Sequence, residues 1–131
     1  MTAPNDAEPP FLLDGHHVVR YAVLDESKPP PAHFHLVAGG VPIGLDVVKR
    51  LVVAEDLVKG RIFLMHCDAD WMTVTAETFE HADAAQASAE SRYAGVPMRW
   101  SHYRELTEQE RHEVQVTRDF LRELAAEFPD D

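Results

Sequence analysis

The most constraining segment of this sequence is residues 61–67, Arg-Ile-Phe-Leu-Met-His-Cys, which carries apolar side chains at both odd and even positions. Successive side chains of a strand point to opposite faces of its sheet, so such a strand must be covered on both faces. The segment therefore predicts the central strand of a sheet. Asp68 and Asp70 supply turn chemistry directly after it, and residues 71–76 alternate as the second strand of a hairpin.

Four further segments predict the rest of the sheet. Residues 16–24 are rich in β-branched and aromatic side chains, and residues 33–38 alternate weakly before two glycines. Residues 47–53 fit either a helical stripe or a strand, and their density of valine favours the strand. A short extended piece at residues 98–100 is positioned to rejoin the sheet edge.

The period of the apolar pattern changes in the second half of the chain. Residues 82–94 place alanines and Tyr93 on one helical face, and Gly95 with Pro97 gives a stop signal. Residues 107–110 form a capping box that opens a long amphipathic helix, which ends by Pro129. Strands first and helices last predict an α+β fold, with a meandering antiparallel sheet followed by two helices.

Length and composition predict one domain at residues 11–131, preceded by a disordered tail at residues 1–10, whose Pro, Asp, Asn and Glu supply little burial. The lone cysteine, Cys67, has no internal disulfide partner, which favours a reducing compartment. Without a signal peptide or an apolar run of about 18 residues, we expect a cytoplasmic protein that does not enter membranes.

The charge balance constrains the partners. Twelve Lys and Arg against 23 Asp and Glu give a formal net charge of −11. This charge repels nucleic acid and anionic lipid and attracts basic proteins. The motifs of nucleotide binding, zinc proteases and serine hydrolases are absent from the sequence. We therefore expect that the protein uses no cofactor. We also expect a binding protein rather than an enzyme.

Acidic and aromatic residues suggest where a basic partner would bind. Glu77, Glu80 and Asp83 cluster before and within the first predicted helix. Phe79 and Trp71 are candidate aromatic anchors beside them, because interfaces concentrate binding energy in such residues. The alternative is a solvated acidic face with both aromatic residues buried.

Histidines offer a second hypothesis, a small metal-binding enzyme or sensor. His33 and His35 lie two apart on a predicted strand and would point the same way, so they could share one ion. His66 is a candidate third ligand. The alternative is that these histidines are solvent-facing or hydrogen-bonded strand residues.

The last helix offers a third hypothesis, a structural subunit of a homodimer. Its main apolar stripe comprises Val114, Leu121, Leu124 and Phe128. Val116 and Phe120 lie beside this stripe. The stripe could pair with a second copy or, as we prefer, cover the protein's own sheet.

Three patterns follow one another between Phe63 and Trp100. The run from Phe63 to Trp71 contains a Cys-Asp-x-x-Trp hairpin. An Ala-x-x-x-Ala-Glu-x-x-Tyr-x-Gly pattern then extends from Ala85 to Gly95, and the tryptophan Trp100 follows it. Residues 61–100 thereby resemble a group of small, uncharacterised bacterial proteins. The resemblance implies packing signals rather than an active site. By analogy of size and charge it also suggests an immunity protein, an acidic inhibitor that neutralises a basic toxin.

Overall fold

The computed structural model describes residues 8–24, 36–38, 41–43, 48–93, 96 and 98–127. Two helices and eight strands lie within these residues. The strands are β1 Leu12–Leu13, β2 His16–Leu24, β3 Leu36–Ala38, β4 Val41–Ile43, β5 Arg50–Asp56, β6 Ile62–Cys67, β7 Thr73–Phe79 and β8 Met98–His102. The helices are α1 Ala82–Arg92 and α2 Glu108–Glu127.

Six strands form one antiparallel sheet, in which β1, β2, β5, β6 and β7 follow one another in that order and β8 also pairs with β2. The outer edge of β2 is shared, because β1 pairs with its first residues and β8 with residues from Arg20 to Leu24. β6 lies between β5 and β7, as its two apolar faces predicted. The predicted α+β fold is confirmed, and the short piece before Trp100 does rejoin the sheet.

The hairpin between β1 and β2 was not predicted, although the sequence contains its signal. Leu13 pairs with His16, so the turn between them has two residues. Both of them, Asp14 and Gly15, have positive φ, at 53° and 79°. Asp-Gly is a preferred sequence for this tight turn, because its backbone matches the twist of the flanking strands.

Two apolar clusters lie on the two faces of the sheet. Alternation along β6 sends Leu64 and His66 to the face that α1 covers, and Met65 and Cys67 to the other face. Cys67 is buried there beside Trp71, as expected for a small apolar core residue. Both faces of the central strand are therefore filled.

The helix α1 packs closely on β5, β6 and β7. Ala85 and Ala89 point at the sheet and are fully buried. Because their side chains are single methyl groups, the helix backbone approaches the strands closely. Tyr93, at the C-cap, is buried in the same cluster.

The helix α2 begins with the predicted capping box. Thr107 Oγ1 accepts a hydrogen bond from the Glu110 amide at 3.1 Å, and Glu110 Oε1 accepts one from the Thr107 amide at 2.9 Å. Two backbone donors of the first turn are thus satisfied reciprocally. Arg104 holds the same Glu110 carboxylate through two bonds of 2.7 and 2.9 Å.

α2 packs against two turns at one end of the sheet. The Arg118 guanidinium donates to the Leu57 carbonyl at 3.1 Å, in the turn between β5 and β6. A Leu121 methyl group lies 3.9 Å from the space that a Cβ atom on Gly15 would occupy. Val114 is buried, whereas no other residue of α2 is.

The end of the predicted tail packs against the domain. Residues 8–10 were assigned to a disordered tail, but Pro9 is buried and its carbonyl accepts a hydrogen bond from the Tyr103 hydroxyl at 2.8 Å. The cause is a long-range aromatic contact that the local composition does not show. The second predicted strand is described only as Leu36–Ala38, so His33 and His35 lie outside the described residues.

Candidate functional site

Two of the three acidic residues predicted to form a docking surface lie in ion pairs within the protein. Glu77, on β7, is bound by Arg92 from the last turn of α1. Asp83, in the first turn of α1, is bound by Arg20 of β2 at 2.8 Å. These carboxylates are therefore partly neutralised, and a basic partner would have to compete with each arginine.

Glu77 also ends a chain of hydrogen bonds that reaches into the core. His66 Nε2 lies 3.0 Å from Glu77 Oε1, and His66 Nδ1 lies 2.8 Å from the Tyr93 hydroxyl. A carboxylate only accepts, so the Nε2–H group of His66 donates the hydrogen bond to Glu77. Nδ1 then accepts from the Tyr93 hydroxyl, and both ring nitrogens are used.

The pKa values of Glu77 and Tyr93 are shifted in opposite directions within this network. The His66 and Arg92 hydrogen bonds lower the pKa of Glu77 against the opposing effect of its partial burial. Burial, together with the nearby Glu77 charge, raises the pKa of Tyr93, which stays a neutral donor. His66 is fully buried, and the network fastens α1 to β6 and β7.

The other end of α1 is fastened in the same way. Arg20 donates to Gln86 at 2.9 Å as well as to Asp83. The first turn is capped by His81, whose Nδ1 accepts from the Ala84 amide at 3.2 Å. The acidic run at the start of α1 thus takes part in docking the helix to the sheet.

Glu80 and Phe79 occupy a more open position. Glu80 is exposed and makes no ion pair with another described residue, while Phe79 is half-buried against the cluster under α1. A shallow depression of about 530 Å³ runs past both, and Arg61 also lines it. Its mixed charge gives no preference for a basic partner.

Trp71 does not line that depression and belongs to the other core cluster, where it is only 5% exposed. Tyr21 packs edge-on against its ring at 5.9 Å, and the Arg50 guanidinium lies 5.5 Å from the ring centroid. Trp71 and Phe79 therefore do not form one surface. Trp100 is half-buried against the core beneath α1.

No group of three or more potential ligands, counting His, Cys, Asp and Glu, could hold a metal within the part of the chain that the structure describes. His66, the proposed third ligand, uses both nitrogens in hydrogen bonds, and His33 and His35 lie outside that part. Burial raises the pKa of Cys67 to about 12, so its thiol is neutral at physiological pH.

The main stripe of α2 lies on the side of the helix that is turned toward the protein, where Leu121 contacts the turn at Gly15. Val114 is buried, Leu121 and Leu124 are half-buried, and Phe128 lies outside the described residues. With Leu121 against Gly15, this stripe is in use within the monomer. The alternative of a homodimer through these residues would require α2 to leave that position.

The sequence analysis placed Val116 and Phe120 beside the main stripe but did not identify them as a binding surface. Val116 and Phe120 are 53% and 57% exposed. They lie one helical turn apart, and Glu113, Asp119 and Glu123 lie three or four residues from one or the other, which makes them helical neighbours. The sequence signal for this surface is a second helical stripe beside the main apolar stripe, formed by Glu113, Val116, Phe120 and Glu123.

Comparison with protein-family models, with curated protein sequences and with solved structures finds no match to this chain. Neither described helix combines the length and the apolar composition that crossing a bilayer demands.

Proposed function

We propose that the protein is a non-catalytic acidic binding domain that holds a basic protein partner against the exposed face of α2. One observation carries the proposal: Val116 and Phe120 form an exposed apolar pair on a helix whose neighbouring positions are acidic. Large apolar side chains that fill a partner's pockets supply most of the binding energy of an interface, and surrounding charges set its specificity.

The acidic neighbours define what the partner must present. Glu113 and Glu123 make no ion pair with any other residue that the structure describes, and Asp119 accepts only the Gln115 amide at 2.9 Å. Their charge is therefore available to a partner, unlike that of Glu77. A surface with Lys or Arg on either side of an apolar pocket would complement this face.

The same charges disfavour a second copy as the occupant. If two α2 helices paired antiparallel through Val116 and Phe120, Glu113 of one copy would face Glu123 of the other. If they paired parallel, each glutamate would face its own counterpart. Like charges opposed across a helix interface are destabilising, so a basic partner fits this face better.

The net charge of −11 extends this complementarity over distance. A protein of this charge attracts a basic partner at long range and raises the association rate at low ionic strength. Inhibition by occlusion, as in an immunity protein bound to a basic toxin, is the specific function that we propose for such a domain. The bound chain would then block the partner sterically, with no chemical step.

The test begins with capture of partners from native cell extract, followed by identification and purification of each captured protein. Its dissociation constant would be measured with wild-type protein and with the Phe120→Ala variant. We expect a basic partner, a loss of affinity of about tenfold or more on truncating Phe120, and weaker binding at about 0.5 M salt than at about 0.05 M.

The control is Val23→Ala, because Val23 is an exposed apolar side chain (37%) on β2, outside both α2 and the turn between β6 and β7. This variant should bind the partner as wild type does. Capture of no specific partner, or of one whose affinity ignores both Phe120→Ala and salt, would overturn the proposal.

A further inference from the structure

A groove of about 510 Å³ lies on the side of the sheet opposite α1. Phe11, Trp71 and Tyr103 contribute aromatic walls, and the charged residues Glu8, Asp70 and Arg104 line the same groove. Its volume lies in the range of sites that hold one small ligand or one side chain. Walls of this kind, apolar with a few charges, are typical of specific binding sites.

The turn that forms one wall is held in an unusual conformation. Trp71 has a φ of 65°, a left-handed value that is rare for a bulky side chain. It occupies the position in a three-residue hairpin loop where glycine is preferred. The Asp68 carboxylate stabilises this loop by accepting the amides of Asp70 and Met72 at 2.9 and 3.0 Å.

The left-handed conformation of Trp71 buries its indole ring and leaves the carboxylate of the neighbouring Asp70 at the rim of the groove. The Asp70 side chain is exposed and makes no hydrogen bond or ion pair with another residue in the described ranges. A strained backbone next to an uncompensated charge at the mouth of a groove points to a ligand. The negative charge of Asp70 favours a cationic ligand.

Arg104 shows which kind of cation these walls accommodate. Its guanidinium lies 5.2 Å from the centroid of the Tyr103 ring, and its Nε donates to Glu8 at 3.2 Å. Both terminal nitrogens donate to Glu110. The positive charge of Arg104 is thus matched by two carboxylates, so Asp70 leaves the groove region net negative.

We propose that the groove binds one arginine side chain of the basic partner, with the guanidinium paired to Asp70 and its plane against the half-buried rings of Phe11 and Tyr103. Arginine suits the groove better than lysine, because its planar group stacks on rings and forms two parallel hydrogen bonds with one carboxylate. This inference rests on the proposed function, since it assigns the arginine to the same partner.

The test uses fluorescence of the full-length protein and needs no partner. The chain has two tryptophans, so the Trp100→Phe variant leaves Trp71 as the sole emitter at the groove. The probe is a tripeptide with blocked ends and a central arginine. Its counterpart contains citrulline, which has nearly the shape of arginine but no charge.

We expect a saturable change in Trp71 emission with the arginine peptide and none with the citrulline peptide. Adding Asp70→Asn should weaken binding about fivefold or more, in the range of one charge-assisted contact. Adding Glu80→Gln, which removes an exposed carboxylate elsewhere, should leave the affinity unchanged.

Equal responses to the two peptides, no response to either, or an Asp70→Asn affinity equal to that of the parent would each overturn the groove assignment. None of these results bears on Phe120, whose partner affinity is measured separately. Failure of the groove and failure of the α2 surface are therefore distinguishable.

Discussion

The two helices use the sheet in different ways. α1 has 11 residues, buries Ala85 and Ala89 completely and is fastened at both ends by arginine ion pairs. α2 has 20 residues, of which only Val114 is buried. The shorter helix is thus the more deeply integrated, and most of the longer helix surface is open to solvent.

This difference shows that α2 is stabilised in a different way. A helix normally gains most of its stability from packing an apolar face. α2 adds local stabilisation, with a reciprocal capping box at Thr107 and Glu110 and a side-chain bond between Gln115 and Asp119 four residues on. Because it relies less on burial, it can expose Val116 and Phe120 without unfolding.

The largest effect that separates the two helices should come from truncating an apolar residue on each. Tyr93→Ala removes a buried ring under α1, and we expect a loss of about 3–5 kcal/mol in the free energy of unfolding. Leu121→Ala removes a half-buried side chain from α2 and should lose about 1 kcal/mol. Urea denaturation measures both, and equal losses would contradict the contrast.

Much of the fold could be predicted because its signals are local. Two apolar faces placed β6 in the centre of the sheet, and Thr107 with Glu110 placed the start of α2. Alanine spacing placed the buried face of α1. The hairpin at Asp14 and Gly15 was missed because β1 has only two residues, too few to show a period.

The candidate site was harder to predict because pairing between distant residues leaves no local pattern. Arg20 and Asp83 are 63 residues apart, and nothing near Asp83 indicates that its charge is matched. The sequence analysis grouped Glu77 with an acidic surface, whereas His66 and Arg92 bind it. The exposed stripe of α2 was visible in the sequence, but which stripe is buried depends on tertiary packing.

An effect of intermediate size should come from making the same alanine-to-leucine substitution in each helix. Ala89→Leu inserts three carbon atoms between α1 and the sheet, and we expect a loss of about 1–3 kcal/mol by overpacking. Ala126→Leu makes the same change at an exposed position of α2, where the effect should stay within about 0.5 kcal/mol. Alanine and leucine have similar helix propensities, so packing accounts for the difference.

Thermal or urea unfolding of both alanine variants gives the comparison directly. A stability loss at Ala126 as large as that at Ala89 would mean that α2 packs more tightly than its exposure indicates.

The smallest effect concerns the ion pair that fastens the end of α1. His66 and Arg92 lower the pKa of Glu77 below its ordinary value of 4.5. A carboxyl group whose pKa is lower in the folded state adds stability that is complete above the unfolded pKa and is lost as pH falls through the folded pKa. Wild type should therefore exceed Glu77→Gln in stability at pH 6, and the difference should shrink below about pH 4.5. Because Glu77 is partly exposed, solvent screening keeps this effect modest.

Glu80→Gln provides the control, since Glu80 is exposed and forms no ion pair with another described residue. A Glu77→Gln difference that stays constant from pH 6 to about pH 3 would show that the carboxylate charge does not help to hold α1.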